Sequence, residues 1–190
     1  LTRLRNRTEQ ALRIGKSEAE YRAALESTIE ESDHLIATFN ALLMIARAES
    51  GQARDNISEF DAAEIAHAIG ELYEPLAEEK GIVLKVEADT PAPVNGSREL
   101  VSQALANLVD NAIKYTPDGG NITAGIGMNE RKGYVEIFVS DSGIGLSKEQ
   151  KKKLFTRFYR GQDAVKTNPV GAGMGRFITR QIMEAHQGDM

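Results

Sequence analysis

Residues 100–120, LVSQALANLVDNAIKYTPDGG, carry two patterns at once. Val101, Leu105, Leu108, Val109 and Ala112 recur at three- and four-residue intervals, the spacing of a helix with one apolar side. At about 100° per residue, Asn107, Asn111 and Lys114 fall within a stripe about 60° wide on the other side. Pro117 and the glycine pair Gly119–Gly120 then stop the helix. Carboxamide oxygens are hard ligands that suit magnesium without adding charge. A lysine near the helix end can meet phosphate oxygens as a mobile point charge. Tyr115, at the edge of the stripe, offers a ring to a base. Taken alone, the same stripe reads as a solvated helix face.

The segments downstream of this helix strengthen the case for a site. NITAGIGM (121–128) and YVEIFVS (134–140) alternate as two strands of a hairpin joined by NERKG. Asp141 comes directly after the second strand, with Gly143 and Gly145 alternating behind it. A carboxylate there can accept from an exocyclic amine, and glycines let backbone approach a planar ligand. Residues 147–153 read as a short helix, and its lysines 151–153 as a solvated helix end. LFTRFYRGQ comes next, with Phe155 and Phe158 apolar and Arg157 and Arg160 basic. A stretch without apolar period then reaches GAGMG, whose Gly171, Gly173 and Gly175 precede a last helix. Such glycines can present amides to phosphate. No strand precedes them, so the dinucleotide fingerprint fails. The aperiodic stretch suits a lid.

Upstream, residues 61–80 read as a helix capped by Asp61, residues 82–88 as a strand, and TPAPVNGS (90–97) as a turn. Together these elements predict an α+β domain with helices on one face of a mostly antiparallel sheet. The first fifty residues differ. Leu1, Leu4, Thr8, Ala11 and Leu12 mark one amphipathic helix, and GKSE (15–18) breaks it. Leu25, Ile29, Leu35, Ile36, Phe39, Leu42, Leu43 and Ala46 give the second an apolar face too wide for two helices to cover. Two copies of the hairpin would cover it as a four-helix bundle. SGQARDN (50–56) is the joint, which divides the chain into a hairpin, 1–53, and a second domain, 54–190.

Composition narrows the class. The chain has 190 residues, 41% of them hydrophobic, and a net charge of −5. No long basic stretch exists, which speaks against a nucleic-acid partner. Without cysteine there is no disulfide framework or thiolate metal site. No apolar run reaches the roughly 18–20 residues that cross a bilayer. The opening LTRLRNRTEQALR looks like the middle of a helix, as if the chain starts inside a larger protein.

In order and spacing, NLVDNAIKY, DSGIG, FTRFYRG and GAGMG resemble the N, F and two G boxes of the sensor histidine kinases. The helical hairpin resembles that family's dimerisation and phosphotransfer domain, with IARAESGQ (45–52) as its exit, so the likeness covers essentially the whole chain. It implies an ATP-binding α/β sandwich of the histidine kinase ATPase type, ATP and magnesium as cofactors, a homodimer, and a response regulator as partner. It further implies a cytoplasmic segment of a protein anchored in the inner membrane. By the same likeness Asn111 holds magnesium with Asn107 assisting, and Lys114 reaches the phosphates. Tyr115 packs near adenine, Asp141 reads its amino group, and Arg160 approaches the γ-phosphate. Gly171, Gly173 and Gly175 anchor the lid and meet phosphate, and Gly143 and Gly145 count among the cofactor-binding residues.

The chain departs from the family in three places. The family's acceptor histidine lies on the first hairpin helix in a motif like HExxTPL, whereas His34 is on the second. His34, His67 and His186 therefore read as bystanders, with the acceptor upstream of Leu1. Arg176 stands where an aliphatic residue is expected, which bears on the packing of the lid hinge. The family also adds a final strand hairpin after EAHQGDM. Two alternatives remain open. An ATP hydrolase of the gyrase, chaperone and mismatch-repair type would carry an acid where Asn107 stands. A non-catalytic dimeric phosphotransfer or regulatory module would have a degenerate nucleotide site.

Overall fold

Asp61 and Ser97 each start a long helix through their own side chains. Asp61 Oδ1 accepts from the Ala63 amide at 2.9 Å and also from the Ala92 amide at 2.8 Å. Ser97 Oγ accepts from the Leu100 amide at 3.4 Å. Such caps satisfy donors that a helix start leaves open. The computed structural model describes residues 57–129, 133–154 and 175–190, together with 17, 21, 22, 24, 25, 28, 32 and 39. Its elements are β1 (Ser58–Asp61), α1 (Ala62–Glu79), β2 (Val83–Glu87), β3 (Pro93–Gly96), α2 (Arg98–Tyr115), β4 (Asn121–Asn129), β5 (Tyr134–Asp141), α3 (Lys148–Lys153) and α4 (Gly175–Ala185).

The apolar faces meet in one core. Ile65, Ala66 and Ile69 of α1, Val101, Leu105, Val109 and Ala112 of α2, and Ile122, Ala124 and Ile126 of β4 are all buried there. Burying a Leu, Ile or Val side chain stabilises by about 1.5–3 kcal/mol, so these residues hold helices and sheet as one layer pair. At Gly70 a Cβ would collide with Val86 Cγ2, so α1 lies directly on β2. A second, smaller cluster joins α2 to α4 through Ala104, Ile178 and Ile182, with Leu100 and Met183 at its edge. Thus α2 has the sheet layer against one side and α4 against another. That leaves its asparagine stripe near the start of α4.

Two expectations are corrected. The segment read as a turn contains β3, which pairs antiparallel with β1 from Ser58↔Gly96 to Asp61↔Pro93. Proline and glycine dominate the local signal, but Pro93 opens the strand, where a missing N–H is tolerated. The single sheet expected is instead two, β1-β3 and β2-β4-β5; pairing is mostly antiparallel as expected, but β2 runs parallel to β4 while β4 is antiparallel to β5. Strand direction depends on the long excursion through β3 and α2, to which local alternation is blind. The hairpin expected over 1–53 lies largely outside the described residues. Positions 21, 22, 24, 25, 28, 32 and 39 are helical. Among the described residues no helix is long and apolar enough to cross a membrane.

Candidate functional site

The stripe of α2 is built as its spacing implies, and two other segments come to it. Asn111 Nδ2 donates to the Asn107 carbonyl one turn back at 2.5 Å, which fixes the amide and leaves Oδ1 out of that bond. Asn107 Nδ2 is buried, with no hydrogen-bond partner among the described residues. A buried unpaired amide costs stability unless something else satisfies it. Gly175, the first residue of α4, sits against both: a Cβ there would lie 3.2 Å from Asn111 Nδ2 and 3.9 Å from Asn107 Cβ. Lys114 Nζ pairs with Asp110 at 2.6 Å, both side chains partly exposed. A surface pair of this kind contributes at most about 1 kcal/mol, so the ammonium can exchange partners readily.

The other wall is the turn after β5. Asp141 Oδ1 accepts from the Gly143 amide at 2.9 Å, and its carboxylate is otherwise exposed. The Ile144 amide donates to the Tyr115 carbonyl at 3.3 Å, which docks this turn on the last turn of α2. A Cβ on Gly143 would stand 2.5 Å from Asp141 Oδ1 and 2.6 Å from the Tyr115 oxygen. The close approach that Gly143 permits in this structure is therefore to protein, whereas the expectation was an approach to ligand. Gly145 has φ +67°, a left-handed turn position.

The second half of α2 thus has Gly175 against Asn107 and Asn111, and the Asp141 turn against Tyr115. Arg176 adds a cation, its guanidinium carbon 5.9 Å from the centre of the Tyr115 ring. Charge over an aromatic face is favourable at that range, so the arginine has a packing partner despite its polarity. Arg160, Gly171 and Gly173 lie outside the described residues, as do Phe155, Arg157, Phe158 and His34. His67 Nε2 is 3.3 Å from the Ala88 carbonyl. His186 links elements: Nδ1 donates to the Ile182 carbonyl at 2.7 Å and Nε2 accepts from the Ser97 amide at 2.9 Å.

As to metal, no group of three or more His, Cys, Asp or Glu among the described residues could hold an ion. Magnesium commonly takes one or two protein oxygens and completes its shell with water and substrate phosphates. A single carboxamide oxygen such as Asn111 Oδ1 suits that mode, and a dedicated protein cage is not required.

A sequence profile of the Histidine kinase-, DNA gyrase B-, and HSP90-like ATPases matches residues 96–190, half of the chain. The chain belongs to that family. Within this ATPase family its relatives are sensor kinases. Sensor protein IrlS of Burkholderia pseudomallei is 34% identical over 99% of this chain and 40% of its own length. Probable sensor protein PcoS of Escherichia coli is 33% identical over 100% of this chain and 40% of its own. This chain therefore spans about two fifths of these relatives. Among solved structures, the Acinetobacter baumannii histidine kinase AdeS superposes with a TM-score of 0.70 over 97% of this chain and 83% of that one. At 23% identity it shows the fold alone. Full-length ShkA, solved in complex with AMPPNP, is 26% identical with a TM-score of 0.69, covering 90% of this chain and 35% of that one.

The sequence reading missed Lys80, whose Nζ donates to the carbonyls of Ile113 and Thr116 at 2.7 and 2.8 Å. It also missed Ser142, whose Oγ accepts from the Asn121 amide at 2.8 Å and ties the Asp141 turn to the start of β4. A lysine before Gly81 at a helix end was the available signal. Its partners lie 33 and 36 residues away, beyond any local pattern.

Proposed function

We propose that this chain is the catalytic core of a sensor histidine kinase, which binds ATP with magnesium between α2, the Asp141 turn and the start of α4. The observation that carries the reading is that the second half of α2 bears paired carboxamides and a lysine, with a glycine-led helix start against the carboxamides and the turn of an exposed carboxylate docked on Tyr115. Asp141 would accept from the adenine amino group, with Tyr115 beside the ring. Lys114 would leave Asp110 for the phosphates, and Asn107 Nδ2 would find its missing acceptor in the bound ligand. The ion held by Asn111 would neutralise charge on the phosphate oxygens. Arg160 and the glycines 171, 173 and 175 would complete the phosphate side.

In the reaction a histidine nitrogen of a helical hairpin attacks the γ-phosphorus, the bond to the bridging oxygen breaks, and ADP leaves. The ring proton passes to solvent, and the phosphoryl group then moves to an aspartate of a response regulator. Positioning and charge stabilisation supply such catalysis. ShkA's complex with AMPPNP supports nucleotide binding here by relationship. The hairpin over 1–53 and its homodimer belong to the same proposal. Leu25 and Phe39, the described members of its wide apolar face, are 59% and 61% exposed in the single chain.

Calorimetry with AMPPNP, with and without magnesium, tests the site. Magnesium should tighten binding, and Asn111→Ala should remove that magnesium effect. Labelled phosphate should pass from ATP to a supplied hairpin carrying the acceptor histidine. Absence of binding at millimolar ligand by folded protein would leave the non-catalytic module as the better account.

A further inference from the structure

The last carbonyls of a helix have no partner within it and must be satisfied from outside. At the end of α2 two carbonyls share one such partner atom. Lys80 Nζ donates to Ile113 O at 2.7 Å and to Thr116 O at 2.8 Å. Lys80 is the residue that ends α1, and its own carbonyl accepts from the Gly119 amide at 3.0 Å. It is therefore held at both backbone and side chain, and it is half-buried. A cation at a helix C-terminus also suits the helix dipole.

The carbonyls Lys80 binds flank the one that the Asp141 turn uses. Tyr115 O lies between Ile113 and Thr116 in the chain and accepts from the Ile144 amide at 3.3 Å. Gly143 lies so close to the same oxygen that no Cβ could fit. The Ile113 and Thr116 carbonyls are turned to the ammonium, and the Tyr115 carbonyl between them in the chain is turned to the Asp141 turn. We propose that Lys80 is a positioning residue for the nucleotide site. It orients the end of α2 so that Tyr115 receives Ile144, and through that bond it sets Asp141 relative to Tyr115 and Asn111. This rests on the nucleotide-site reading above.

The test uses the whole chain with Lys80→Met, which keeps the stem and removes the donors, and Lys80→Arg, which keeps charge and donors. All measurements are made at a temperature where circular dichroism finds each protein folded. Amide exchange at Ile144, without ligand, should quicken in Lys80→Met by about tenfold, the scale of one weakened hydrogen bond, and recover in Lys80→Arg. Affinity for ATP should fall about tenfold, and the preference for ATP over inosine triphosphate, which lacks the amine, should shrink. Lys80→Arg should restore most of that preference. A purely structural lysine would lower the melting temperature and leave the ATP-to-ITP ratio unchanged, and that result overturns the proposal. So does unchanged exchange at Ile144. If the wild-type chain binds neither nucleotide, the site reading fails first and the positioning role with it.

Discussion

Gly143 is the position where one methyl group should matter most. Its Cβ would strike the Tyr115 carbonyl and the Asp141 carboxylate together, and the first of these is backbone that cannot swing aside. Gly143→Ala should push the turn off α2 and weaken ATP-analogue binding by about tenfold or more, with cost also visible as a lower melting temperature. Titration calorimetry beside thermal denaturation separates the two effects. Asp61, which is not one of the candidate site residues, offers a pH handle. Amides of Ala92 and then Ala63 donate to its carboxylate and hold its pKa below the usual 3.8. A carboxyl depressed by folding stabilises above its unfolded pKa, and that contribution disappears as pH falls through the folded value. Asp61→Asn should therefore be less stable than the wild type at about pH 6. The difference should narrow as urea midpoints are followed from about pH 5 to pH 3.

Among the elements, α4 is the one whose attachment differs from the rest. It meets α2 through a small cluster of its own, Ala104, Ile178 and Ile182, apart from the main core. His186 pins its far end to the amide of Ser97, and Arg176 stacks its near end over Tyr115. Ile182 is nearly inaccessible, so Ile182→Ala should cost about 2–4 kcal/mol in urea denaturation. Because Gly175 rides on the same helix, affinity for the nucleotide should drop as well, even where the protein remains folded. A variant that loses stability but retains full affinity would show that the start of α4 does not depend on this cluster. α2 contrasts with it. Core on one side and asparagines on the other come from a single 18-residue run, which is why its ends were legible.

For the molecule as a whole, the open question is association. Leu25 and Phe39 present large apolar surface to solvent, and buried area of that kind drives helices together. The dimer reading expects sedimentation of this chain as a homodimer at micromolar concentration, and the double variant Leu25→Glu with Phe39→Glu as a monomer that still binds nucleotide. A monomeric wild-type chain would count against the hairpin bundle while leaving the ATPase fold untouched. The ATPase family itself rests on the match over residues 96–190 and does not depend on that outcome.

Long helices, the cap at Asp61, the β4–β5 hairpin and the asparagine stripe were all readable along the chain. Each depends on contacts within a few residues, where periodicity and capping chemistry act. The pairing of β1 with β3, the parallel run of β2 beside β4, and the grip of Lys80 on the end of α2 were not. Those join residues tens of positions apart, and their partners are selected by which backbone groups remain unsatisfied once the core has closed. Local order could name Asn111 and Asp141 as candidates. The docking of the Asp141 turn on the end of α2 is a consequence of packing, because the bond from Ile144 to Tyr115 forms only when β5 and α2 are both laid against the same core.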